Sequence, residues 1–178
     1  EHLDHWGNAE NLINGFVSFA NKVPFFGFTV VCLDHPTVQS ILPLLHRRII
    51  TYGINAQANL KAGNIIQMGL DTSFRVHYKE ADLGTIMLRM PGKHNIQNAL
   101  AAIAVSLELG ISFTEIQKAL NGFTGVDRRF SIRAQGKINN DDTNDILIID
   151  EFVDGEALFE KYGFKLVFTN PIGSILVQ

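Results

Sequence analysis

At residue 58 the pattern of the chain changes, and that change limits the possible folds more than any other feature. Before it, two short apolar runs rich in β-branched residues, "GFTVVCLD" (27–34) and "RRIITYG" (47–53), lie between segments of helical spacing. Runs of this kind read as strands buried on both faces, as in parallel sheets covered by helices. From 58 to 90, "ANLKAGNIIQMGLDTSFRVHYKEADLGTIMLRM" alternates apolar and polar residues between Gly and Asp turn signals, most clearly in "SFRVHYK". That alternation predicts two to four antiparallel strands with one wet face. The expected fold is therefore α/β, a parallel sheet with helices plus a small antiparallel subsheet.

Helices fill the remaining segments. Leu12, Ile13, Phe16, Val17, Phe19 and Ala20 recur at helical spacing within residues 9–22, and Pro24 stops the run. "PTVQSILPLLH" (36–46) predicts a short helix. A helix over about 96–109 ends at Gly110, with Ile96, Leu100, Ile103 and Leu107 as its apolar stripe. In "SFTEIQKALNGF" (112–123) Ser112 is the N-cap, and Glu115 completes a capping box. The polar stretch "GKINNDDTND" (136–145) reads as a linker or loop, and "ILIID" (146–150) reads as a strand ending in Asp150 and Glu151. These breaks divide the chain into a domain over 1–135, a linker or loop over 136–145, and a segment 146–178. The last segment, helix-then-strand in pattern, reads as the start of a further domain or a diverged tail.

Composition removes several classes of function. Hydrophobic residues make up 46 % of the 178 and charged ones 19 %, the balance of a globular chain with a real core. A net charge of −3 gives no general attraction to a phosphate backbone, so nucleic acid is not an expected partner. No apolar stretch is long enough to span a bilayer as a helix, and no charged-then-apolar signal opens the sequence. The single cysteine, Cys32, rules out an internal disulfide framework and reads as a buried thiol of a cytoplasmic protein.

The candidate site starts in "PGKHNIQNALAA" (91–102), a loop that breaks into a helix carrying His94, Asn95 and Asn98 in and just after its first turn. Asn95 suits an N-cap, and a pair of solvated asparagines at a helix start needs no ligand. An asparagine amide also presents a donor beside an acceptor, which matches the edge of a nucleotide base. In "FTGVDRRF" (123–130) two arginines, Arg128 and Arg129, lie between phenylalanines. Guanidinium forks suit phosphate or planar stacking, while a surface salt bridge would equally account for Arg128. "HLDH" (2–5) lacks the further ligands of a zinc site, but one imidazole such as His2 can complete an oxygen-rich magnesium shell.

The blocks "EHLDHWG", "ANKVPFFGFTVVCLDHP", "RRIITYG", "PGKHNIQNALAAIAVSLELGI" and "FTGVDRRF", in this order and at these intervals over about residues 1–133, resemble the central domain of the Mur ligases. Among these they look most like the branch that joins L-alanine to UDP-N-acetylmuramate. The resemblance implies an ATP- and Mg2+-dependent ligase of peptidoglycan synthesis, working in the cytoplasm through an acyl phosphate. It implies that His2 helps hold a magnesium ion and that Asn95 and Asn98, with His94 beside them, contact the adenine end of ATP. Arg129 is implied at the nucleotide, and Asp150 or Glu151 at the ribose.

The sequence also departs from the family pattern. It contains no G-x-x-x-x-G-K-[ST] phosphate loop, which the family carries upstream with a magnesium-binding glutamate and a uridine-nucleotide domain. After "ILIID" the family pattern has an aspartate, an aromatic and two histidines before a proline, whereas "IDEFVDGEALFEKYGFKLVFTNP" has no histidine. The expectation is an interior fragment of a longer ligase, inactive by itself. Alternatives are a catalytically silent adenine-nucleotide-binding or scaffold module, and the related tripeptide-recycling Mur ligase. A sheet lacking its first strand leaves an edge open, so self-association through that edge is expected.

Overall fold

A computed structural model describes residues 3–55 and 57–125, together with the strands at 132–137, 145–149, 166–169 and 175–177. The chain divides into two compact units, Glu1–Gly122 and Phe123–Gln178.

In the first unit a short helix α1 (Leu3–Trp6) leads into α2 (Ala9–Asn21), capped by the Asn8 side chain accepting from the Asn11 N–H at 2.8 Å. Gly15 of α2 leaves room for the Trp6 ring, since a Cβ there would lie 2.4 Å from it. Strand β1 (Thr29–Cys32), helix α3 (Pro36–Ile41) with a 3-10 turn at Leu42–Leu44, and strand β2 (Ile49–Gly53) follow. β1 and β2 pair in parallel, Thr29 opposite Ile49 through Cys32 opposite Tyr52. Cys32 lies half-buried in β1 as a free thiol.

The alternating stretch forms three strands, β3 (Leu60–Met68), β4 (Asp71–Tyr78) and β5 (Ala81–Leu88). They pair antiparallel with one another, but β3 also pairs in parallel with β2, so the two parts are one sheet in the order β1-β2-β3-β4-β5. Parallel neighbours normally need a long crossover. Here the overlap is only Tyr52–Leu60 and Gly53–Lys61, so a short loop retraces enough chain. Thr51 and Asn59 hold that turn: Asn59 Oδ1 accepts from the Thr51 N–H (3.0 Å) and hydroxyl (2.9 Å), and the Asn59 N–H donates to Thr51 Oγ1 (2.8 Å).

Helix α4 (Lys93–Glu108) and helix α5 (Phe113–Asn121) cover one face of this sheet. Ile96, Leu100 and Ile103 of α4 and Ile116 of α5 pack with Leu60, Phe74, Val76, Ile86 and Leu88 into one core. Leu107 borders it, as the apolar stripe predicts. Gly110 takes φ +80° after α4, a left-handed position that glycine adopts without strain. The Ser112–Glu115 capping box is formed in both directions.

The second unit is a four-stranded sheet in the order β6-β7-β8-β9, built from β6 (Ile132–Lys137), β7 (Asp145–Ile149), β8 (Leu166–Thr169) and β9 (Ile175–Val177). β7 and β8 are parallel, and the outer pairs are antiparallel. Of the polar stretch 136–145, Gly136 and Lys137 close β6 and Asp145 opens β7, while 138–144 lie outside the described residues. The helix expected after residue 152 also falls outside them. No helix among the described residues is long and apolar enough to cross a membrane.

Candidate nucleotide site

Helix α4 begins where the chain leaves the sheet. The Thr72 hydroxyl, fully buried on β4, lies 2.8 Å from the Met90 carbonyl and holds the exit from β5. Gly92 is then the N-cap, at φ +99°. That angle disfavours any side chain, and a Cβ at Gly92 would also displace the exposed His94 ring, 2.8 Å away, so the backbone conformation is what favours glycine. This corrects one expectation. Asn95 is not the N-cap but the third helical residue; its side-chain amide donates to the Pro91 carbonyl (2.7 Å) and closes the loop from inside.

His94 and Asn98, one turn apart, are exposed on one face of the helix, and Asn95 between them is half-buried. Gln97, half-buried, lies on the flank of the helix beside the strand ends. Its Nε2 donates to Asp34 Oδ2 at 2.8 Å. Asp34 lies two residues past the end of β1, and its carboxylate also accepts the Ile54 N–H (3.0 and 2.8 Å) and the Asn55 N–H (2.9 Å), just past β2. One carboxylate thus ties the carboxyl ends of two parallel strands to the start of α4. Gly53 makes space for it, because a Cβ there would lie 2.8 Å from Asp34 Oδ1. Beside this node, burial first, then the Cys32 thiol and Asp34, raise the Tyr52 phenol above its ordinary value, so Tyr52 stays neutral.

The carboxyl ends of parallel strands are where open α/β sheets bind their ligands. At that edge this chain presents an imidazole and a primary amide one helical turn apart, a set that can read the donor–acceptor edge of a planar base. Asp34 and Gln97 were not singled out in the sequence. The one available signal was an aspartate at the end of an apolar run and ahead of a proline-led helix. His2, Arg129 and Asp150 lie outside the described residues. Among the described residues no group of three His, Cys, Asp or Glu side chains is arranged to hold a metal ion.

The fold is an α/β domain with its candidate site at the carboxyl ends of the parallel strands. Residues 1–106 match the Mur ligase middle domain, and the chain belongs to the Mur ligase family. It is 49 % identical over 135 residues to the UDP-N-acetylmuramate–L-alanine ligase of Solibacter usitatus, covering 76 % of this chain and 29 % of that protein. It is 42 % identical over 152 residues to the same-named ligase of Geotalea uraniireducens, covering 85 % of this chain and 32 % of that one. The chain therefore spans about a third of the length of the curated relatives it matches. Among solved structures, the UDP-N-acetylmuramate–alanine ligase of Thermotoga maritima superposes with a TM-score of 0.68 at 24 % identity, over 86 % of this chain and 32 % of that one. The MurF ligase of the same organism, in complex with ADP, superposes with a TM-score of 0.67 at 17 % identity, over 88 % and 34 %. Both likenesses concern the fold.

Proposed function

We propose that this chain is the ATP-binding central portion of a UDP-N-acetylmuramate–L-alanine ligase, a cytoplasmic enzyme of peptidoglycan synthesis. The observation that carries the reading is the exposed His94–Asn98 face at the carboxyl ends of β1 and β2, on a chain with close relatives of that name. On this reading residues 1–135 form the central domain and 146–178 begin the next one.

Asn98 and His94 read the adenine edge, and Asn95 keeps the loop beneath them closed. Arg129 stacks on the base or neutralises phosphate charge, and Asp150 accepts from the ribose hydroxyls. His2 is the one residue of this chain assigned to a magnesium ion, which when bound would neutralise phosphate charge. The substrate carboxylate attacks the γ-phosphate of ATP to give an acyl phosphate and ADP. The amine of L-alanine then displaces phosphate and leaves an amide. The domain's part in this is positioning and charge neutralisation.

Steady-state kinetics of the ligase carrying this sequence test the assignment. Asn98→Ala and Arg129→Ala are each expected to raise the KM for ATP about tenfold, with a smaller change for L-alanine. A loss confined to L-alanine overturns these roles. A second reading, a silent nucleotide-binding module, is favoured for the isolated chain because its 178 residues contain no phosphate-loop motif. ADP formation by those residues alone, dependent on UDP-N-acetylmuramate and L-alanine, would refute it.

A further inference from the structure

We infer that Asp34 and Gln97 are positioning residues that set the rotation of α4 and thereby aim its base-reading face, an inference that rests on the adenine site proposed above. The argument is geometric. An α-helix turns about 100° per residue, so fixing one side chain fixes the azimuth of its neighbours. Two described residues of α4 are held by side chains from other elements: Glu108 at its far end, by Arg48 and Tyr78, and Gln97 at the site end, by Asp34, 63 residues away in sequence, at 2.8 Å. Gln97 shares a flank with His94 three residues earlier and adjoins Asn98 in sequence, so the bond to Asp34 turns both outward. Asp34 is itself rigidly placed: the Ile54 and Asn55 N–H groups approach its oxygens at 2.8–3.0 Å, and the bare Cα of Gly53 lets it sit there.

The helix lacks a competing anchor at this end, because the Gly92 N-cap supplies no side-chain hydrogen bond. Among the described residues the Asn95 side chain bonds to Pro91, within its own loop, and that bond does not fix the helix against the sheet. Apolar packing of Ile96 and Leu100 holds the helix against the sheet without a directional bond. The bond from Gln97 to a fixed carboxylate is directional, since hydrogen bonds weaken steeply away from linearity. Gln97 is thus separated in role from Asn98: it touches no nucleotide and acts only through the helix it orients.

The test is kinetic, on the ligase carrying this sequence, with ATP and GTP as alternative substrates. Gln97→Leu keeps helix propensity and an apolar stem but removes the donor. It is expected to raise the KM for ATP about three- to tenfold and to lower the ATP-over-GTP preference by a similar factor. Both kcat at saturating ATP and the KM for L-alanine should stay unchanged. Gln97→Lys, which restores a donor to Asp34, should recover most of the loss. An unchanged KM and preference in Gln97→Leu, with Asn98→Ala still impaired, overturns the inference and leaves the site reading standing. If neither variant affects ATP use, the site reading falls and the inference with it. A general loss in Gln97→Leu that also affects L-alanine and is not recovered by Gln97→Lys marks Gln97 as merely structural, which also overturns the inference.

Discussion

Gly53→Ala should change sign with its background. In the native chain the three atoms nearest a Cβ at position 53 all belong to Asp34: Oδ1 at 2.8 Å, Cγ at 3.3 Å and Oδ2 at 3.5 Å. Ordinary carbon contacts lie near 3.5 Å, so the carboxylate must retreat by roughly 0.5 Å or more. That stretches the 2.8–3.0 Å bonds from Ile54, Asn55 and Gln97 to the edge of, or beyond, hydrogen-bond range. Overpacking of this kind costs about 1–3 kcal/mol. With Asp34→Ala already present the obstacle is gone, and replacing glycine by alanine inside a strand then stabilises by about 0.5–1 kcal/mol. The difference between the two backgrounds, about 1.5–4 kcal/mol, measures the contact alone. Urea unfolding followed by far-ultraviolet ellipticity, extrapolated to water, gives each value. Equal losses in both backgrounds would refute the reasoning, because the cost would then lie in the strand and not in the carboxylate.

Other outcomes follow from separate parts of the molecule. Phe74→Ala, which empties a fully buried position on β4, should cost about 3–5 kcal/mol in the same unfolding assay. Gly15→Ala should displace the Trp6 ring and shift the emission of the chain's only tryptophan, where an ordinary helix glycine would give no shift. The Arg75 hydrogen bond to Asp82, and the Ser112 side-chain and backbone bonds to Glu115, hold these carboxyls below their ordinary values. Each therefore adds stability that is complete above the unfolded carboxylate pKa and is lost as pH falls through the lower folded value. Ser112→Ala should flatten that acid limb of a stability–pH curve; an unchanged limb refutes the coupling. Among the described residues β1 is paired on one side only. Size-exclusion chromatography of the isolated chain is therefore expected to show self-association at high concentration, and a clean monomer would speak against an open edge there.

The sheet was legible because periodicity reports burial. "TVVC", "IITYG" and "SFRVHY" are strands as their patterns predict, but the first is half-buried throughout and not the buried strand expected. The Ser112–Glu115 box was legible because both partners lie within a single turn. The start of α4 was misplaced by three residues for a specific reason. Asparagine is a strong capping residue, so the sequence points to Asn95 as the cap, while the real cap, Gly92, acts through a positive φ and leaves no side-chain signature. The joining of the parallel and antiparallel parts was hidden in a two-residue overlap fixed by Thr51 and Asn59. Asp34 and Gln97 were invisible as a pair because 63 residues separate them and neither is unusual alone.

The same node explains why fold and site cannot vary independently here. The Asp34 carboxylate serves two strand ends and one helix start, so removing it strands two backbone N–H groups and one amide together. Replacing Asp34 by asparagine is milder. The remaining oxygen can keep the Ile54 and Asn55 N–H groups, and Gln97 can turn its amide to accept from the new NH2. Asp34→Asn should therefore lose only the charge-assisted part, about 1 kcal/mol, while Asp34→Ala loses several times that. The order of the two variants, in unfolding and in ATP use alike, follows from where the three donors stand around one carboxylate. If the two were equal, Asp34 would have to act by its charge alone.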